Sequence, residues 1–184
     1  MLDDLHVSLD IEACGEVLLS IGACTFNPRT GESLSEFYGV PSVGEQMQAG
    51  LRLDADAFAW WLRQDEEARA AIQTQDHASL VLHQFSEWVD RKAWVWAYPT
   101  SYDLSVIERV YRAFHKRVPW TWTKTMDGRT LWRLACANDS ALERIEKEAN
   151  PCPHHALADA KEQARWFAHY LPAVLAAKEA DDGE

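Results

Sequence analysis

The sequence predicts an α/β domain: a mixed sheet, made of an antiparallel three-stranded meander plus parallel strands, flanked by helices. Three observations carry this. The first 40 residues alternate apolar and polar side chains between short turns, which is the period of strands. From Asp54 to Arg91 the apolar spacing becomes helical. A short apolar run, Ala93–Ala97, then returns before further helices, and strands joined through helices lie parallel.

Leu5, Val7, Leu9 and Ile11 point to one face of the first strand, with His6, Ser8, Asp10 and Glu12 on the other. Gly15-Glu16 turns the chain into a second strand over 17–26, and Asn27-Pro28-Arg29-Thr30-Gly31 into a third over 33–40, both turns being rich in the residues that favour them. The helical stretch breaks near Gln64-Asp65 and near Asp76. Asp54 or Asp56 is placed to cap its first helix, and Asp65 or Asp76 the later ones. Pro99 closes the strand over 93–97. Leu104, Ile107, Val110, Tyr111 and Phe114 define a helix over 103–116, and the chain is extended around Trp120–Trp122. Helices are expected from about Thr130 to Ala137, Ala141 to Glu148 and His155 to His169, with an acidic, frayed end from Lys178 to Glu184. No repeat, low-complexity segment or linker interrupts the chain.

The chain has 184 residues and a formal net charge of −11, with a sequence pI near 5.0. This is one domain's length, sufficient to bury a core without staples. The acidity argues against sequence-independent coating of nucleic acid, which depends on Lys and Arg neutralising phosphates. It does not exclude an enzyme that meets nucleic acid through metal ions. Met1-Leu2-Asp3-Asp4-Leu5 lacks the basic and apolar regions of a secretory signal. No apolar run approaches the roughly 20 residues of a membrane span, so the expectation is a cytoplasmic protein with no membrane partner. Cys14, Cys24, Cys136 and Cys152 have neither CxxC nor zinc-finger spacing and read as reduced, partly buried thiols. Nine tryptophans is a high number. Trp60-Trp61 and Trp94/Trp96 cannot all face the same way, so one of each pair is free to line a groove, where aromatic rings can stack on bases.

Three sets of residues carry chemistry. Asp10 and Glu12 share one face of the first strand. They are either a solvated sheet edge or a pair whose repulsion a divalent cation relieves. Asp103 follows a buried strand at the head of a helix, as an N-cap or at the strand end where α/β sheets place their chemistry. His154-His155-Ala156-Leu157-Ala158-Asp159 follows a loop with Pro151 and Pro153 and opens a helix. It is a charged helix start, or a general base near neutral pKa beside a fixed acid.

Together the order Asp-x-Glu, Tyr-Asp, His-x-Ala-x-x-Asp resembles the DEDDh (DnaQ-like) superfamily of 3′→5′ exonucleases, in the small stand-alone phage and bacterial exoribonuclease branch. Ser20-Ile21-Gly22-Ala23, Trp60-Trp61 with Glu67-Ala68-Arg69, and Asp127-Gly128-Arg129-Thr130-Leu131 support that branch. The resemblance implies a ribonuclease-H-like fold, with residues 1–170 as a single exonuclease domain and 171–184 as a helix end and acidic tail. It implies Asp10, Glu12, Asp103 and Asp159 as ligands of two Mg²⁺ or Mn²⁺ ions about 4 Å apart, and His154 as general base. His155 is one residue short of the family spacing and takes a neighbouring or structural role. Ala13 stands where many relatives carry a substrate-contacting Thr, and Tyr98 where Asn is common; neither removes a metal ligand.

The implied activity is removal of nucleoside 5′-monophosphates from the 3′ end of single-stranded RNA or DNA, with RNA favoured, by an enzyme that is often a homodimer. Substrate contacts are expected from Ala13, Tyr98, Tyr102, Arg112, Lys116 and Arg129. The last three belong to a window, residues 109–133, that holds seven cations against Asp127 alone. With Trp120 and Trp122, this window reads as a strand track beside the acids or as a solvated helix face. The alternatives are an exodeoxyribonuclease of the same fold, a short-oligonucleotide or dinucleotide phosphodiesterase, and a non-catalytic nucleic-acid-binding protein.

Overall fold

The structure is a computed structural model that describes residues 2–139, 142 and 154–181, with side chains described to 175. Among these residues a five-stranded sheet runs in the order β3-β2-β1-β4-β5. Strand β1 (His6–Cys14) pairs antiparallel with β2 (Val17–Phe26), which pairs antiparallel with β3 (Ser33–Gly39). On its other side β1 pairs parallel with β4 (Trp94–Ala97), and β4 parallel with β5 (Thr125–Asp127). The meander and the parallel pair expected from the sequence are both present.

Between β3 and β4 stand α1 (Val43–Gln48), α2 (Ala55–Trp61), α3 (Glu66–Ala71) and α4 (Ala78–Trp88). Helix α5 (Thr100–Ala113) connects β4 to β5, α6 (Gly128–Asn138) follows β5, and α7 (Ala156–Asp181) ends the described chain. Asp54 caps α2 by accepting from Ala57 N at 2.8 Å. Asp76 does not cap α4. His77 takes the cap position, and the Glu45 carboxylate accepts from Ala78 N across the fold. The extended segment also lies later than expected: Trp122–Lys124 forms a 3₁₀ turn, and the strand begins at Thr125. Apart from Leu142, which is not helical, the helix expected over 141–148 lies outside the described residues, as does Cys152; Cys14, Cys24 and Cys136 are free thiols. Helix α7 continues through Pro172, well past His169.

Each face of the sheet is covered. Val7, Leu9 and Ile11 pack with Leu82 and Phe85 of α4 and Ile107 and Tyr111 of α5. The opposite face packs Cys24, Phe26 and Trp96 against Leu131 of α6 and Phe167 and Leu171 of α7. The polar face of β1 is therefore not a solvated edge, because β1 is the central strand. His6 and Ser8 are wholly buried. His6 Nδ1 accepts from Trp96 Nε1 at 2.8 Å inside a box with Phe26. A buried polar group persists where it is hydrogen-bonded.

Candidate active site

The acids collect where β1, the start of α5 and the start of α7 converge. Asp10 and Glu12 project from β1 toward α7, and a bulge after Glu12 bends the strand as it leaves the site. Helix α7 comes this close because of Gly22, the β2 partner of Asp10. A Cβ at Gly22 would collide with the backbone of Ala156 and Leu157. Asp159, one turn into α7, thereby reaches β1: Asp10, Glu12 and Asp159 each offer a carboxylate oxygen, all within 4.8 Å of one another.

Asp103 completes the set from α5. It is no cap, because Pro99 holds the cap position and Asp103 lies inside the first turn. Its side chain is buried, and Oδ2 has no hydrogen-bond partner among the described residues. Burial pushes its pKa up to about 7, while the Arg129 guanidinium pulls the other way. Asp10 is held well above the ordinary carboxylate range, first by burial and then by the charges of Asp103, Glu12 and Asp159. An oxygen-only donor set, crowded with like charge and containing an orphaned buried oxygen, fits hard divalent cations such as Mg²⁺ or Mn²⁺.

His154 sits on the turn before α7, in a left-handed backbone conformation with φ 64°. Its ring meets the edge of Trp60 at 4.8 Å and lies 6.4 Å from Trp61. The two tryptophans do face different ways. Trp61 is buried and donates from Nε1 to Ala13 O at 3.1 Å, whereas Trp60 is 38% exposed. His155 instead stacks on Tyr38 at 4.4 Å.

The substrate candidates divide. Ala13 follows Glu12 at the bulge, and Tyr102 is half exposed beside the acids, its phenol raised by burial and by Asp103 and Glu12. Arg129 lies over the Tyr98 ring at 5.4 Å. Arg112 and Lys116 are not brought to the site. Arg112 is nine residues beyond Asp103 on α5, roughly 13 Å along the helix axis, and both line a separate pocket.

Two residues that the sequence left without a role help to build the site. Gln163 Nε2 donates to Asp10 Oδ1 at 2.7 Å; it is four residues after Asp159, hence on the same helical face. Asp127 accepts from Thr130 N at 2.9 Å and from Thr100 N at 3.0 Å, tying the start of α6 to the start of α5. Burial acts upward on its carboxyl, but these hydrogen bonds hold it below its ordinary value.

Solved structures share this architecture. The nuclease domain of 3′hExo, a DEDDh family member, bound to rAMP, aligns with a TM-score of 0.62 at 15% identity over 92% of both chains. Cell-death related nuclease 4 (CRN-4) aligns at 0.64 and 12% identity, over 92% of this chain and 64% of that one. A structure described as 3′-end specific recognition of histone mRNA stem-loop by 3′-exonuclease aligns at 0.54 and 15%, over 92% and 82%. Comparison with curated proteins finds no match.

The sheet and its flanking helices thus have the ribonuclease-H-like fold of these nucleases, with the acids gathered at one place on it. The family model described as the 3′-5′ exoribonuclease Rv2179c-like domain matches residues 5–171, and the chain belongs to that family. It is accordingly a 3′→5′ exonuclease.

Proposed function

We propose that the protein removes nucleoside 5′-monophosphates from the 3′ end of single-stranded RNA. The observation that carries this reading is the convergence of Asp10, Glu12 and Asp159 within 4.8 Å, with the buried, unpartnered oxygen of Asp103 beside them. Two divalent cations, Mg²⁺ or Mn²⁺, would be held by these four carboxylates and would supply charge neutralisation and polarisation of the scissile phosphate.

The chain's own residues do the rest. An imidazole nitrogen of His154 accepts the proton of the attacking water. The water oxygen bonds to phosphorus and the bond from phosphorus to the 3′ oxygen breaks; the freed 3′ oxygen takes a proton from solvent to leave a 3′-hydroxyl on the shortened chain, and His154 returns its proton to solvent. His154 is suited to this because it stands on a turn rather than within the helix, its ring steadied by Trp60. Gln163 orients Asp10, Arg129 offsets charge near Asp103, and Tyr98 and Tyr102 flank the place of the terminal nucleotide. The choice of RNA is supported by the description of the family and by the rAMP bound to 3′hExo.

The test uses matched 5′-labelled RNA and DNA oligomers with Mg²⁺, Mn²⁺ or a chelator. A ladder shortening from the 3′ end on RNA, and abolished by the chelator, is expected. Equal or faster shortening of DNA would overturn the RNA assignment, and cleavage in the chelator would overturn the metal reading.

A further inference from the structure

Helix α5 starts at the acids and ends at the opposite pole of the sheet. β4 and β5 run parallel, so the helix joining them must carry the chain back to the end where those strands begin. At that pole a pocket of about 600 Å³ is lined by Arg91, Arg112, Lys116 and Arg117, against a single carboxylate, Glu108, with Trp120 among its walls. Among the described residues none of the four cations is held in an ion pair, unlike Arg109, which is bonded to Glu16. Two residues beyond Trp120, the indole of Trp122 is 85% exposed. It lies in the turn that leads into β5, at the same end of the sheet as Arg91, which precedes β4. Such a concentration of free positive charge and exposed indole is unexpected on a chain of net charge −11.

The exposed positions of α5 connect this pole to the active site. Tyr102, Ser105, Arg109 and Arg112 are exposed and, at helical spacing, lie along one stripe. The stripe begins beside Asp103 and ends in the basic pocket.

We propose that this pole is a second contact for single-stranded RNA, holding nucleotides several positions upstream of the 3′ end while the terminal phosphate lies at the acids. Cations spaced along a groove track a phosphate backbone without reading sequence, and an exposed indole stacks on any base. The proposal rests on the RNA reading above. It assigns to Trp122, Arg112 and Arg117 a role in discriminating substrate length: a trinucleotide reaches only the acids, and a longer strand reaches both places.

The test compares kcat/KM on a trinucleotide with that on an RNA of about 20 nucleotides, long enough to span a typical single-strand site. Trp122→Ala and the double variant Arg112→Glu/Arg117→Glu should each lower the long-to-short ratio about tenfold, a loss of roughly one stacked base or a few phosphate contacts. The loss should fall on KM of the long RNA, and Trp122→Phe should restore most of it. In parallel, labelled RNA of the same length is bound to Asp10→Asn protein with and without these changes. The double variant should weaken binding and shallow the log–log salt dependence by about 0.7 per lost phosphate contact.

An unchanged ratio, or equal losses on both substrates, would overturn the second contact. So would unchanged RNA binding. If the unaltered enzyme cleaves no RNA, the functional reading fails by itself, and the binding experiment still decides the second contact.

Discussion

Asp10 is surrounded by Glu12, Asp103 and Asp159 and bonded by Gln163, so under the proposed function single atoms there matter most. Asp10→Asn keeps the side-chain shape and removes a charge that burial already opposes. We expect activity to vanish and the melting temperature to hold or rise; hydrolysis at the unaltered rate would show that Asp10 holds no metal. His154→Ala should cost about 10²–10⁴-fold in kcat, the usual contribution of a general base, and His155→Ala much less. Steady-state kinetics on both would expose a reversed order. Gln163→Leu removes the hydrogen bond to Asp10, worth about 1.5–3 kcal/mol to a charged acceptor. Mn²⁺ affinity, read by calorimetry, should fall together with kcat.

Asp103 ties protonation to stability. Its carboxyl rises from an ordinary 3.8 to about 7 on folding. The folded state therefore binds that proton more tightly than the unfolded state does. The resulting stabilisation is whole below about pH 4 and is lost as pH climbs through about 7. Without added metal, Asp103→Asn should match the unaltered protein near pH 4 and melt several degrees higher above pH 7. A gap that stays constant across this range would contradict the burial argument.

At the scale of elements, the approach of α7 to β2 assembles the site. Gly22 permits it, and Cys24 Sγ touches Ala160 O at 3.8 Å further along the same contact. Gly22→Ala inserts a methyl where the α7 backbone already lies. Overpacking of this kind costs about 1–3 kcal/mol, and it also moves Asp159 away from Asp10. We expect both a lower melting temperature and a larger loss of activity than the stability change explains. An equally folded, fully active variant would show that α7 can be seated otherwise. Trp61 plays a matching part from α2, fixing Ala13 directly after Glu12.

For the whole molecule, the charge is divided by place. Four acids are gathered at one end of the parallel strands, while cations without an ion pair among the described residues line a pocket at the other. A net charge of −11 averages over both ends. It limits long-range attraction of nucleic acid; on the proposed function, local affinity comes from cations held at the acids and from the basic pole. Raising ionic strength should therefore weaken binding of long RNA more than binding of a trinucleotide, which salt titrations of both can measure. Among the described residues no helix is long and apolar enough to cross a membrane.

Several features were determined by the sequence alone, because they depend on neighbours along the chain. The alternation from Leu5 to Glu12 places Asp10 and Glu12 on one face, and the turns at Gly15-Glu16 and Asn27–Gly31 dictate the meander. The prolines before His154 and the apolar spacing after it put His154 on a loop and Asp159 on the helix that follows. The tertiary structure decided what depends on contacts between distant segments. Helix α1 has six residues, too short for a periodic signal; it is held by Gln46, which bonds the backbone of Leu18. The bond from Gln163 to Asp10 spans 153 positions, and no local pattern announces it. Arg112 and Lys116 lie close to Asp103 in sequence but at the far end of α5 and just beyond it. A helix that joins two parallel strands must carry the chain away from the site before bringing it back.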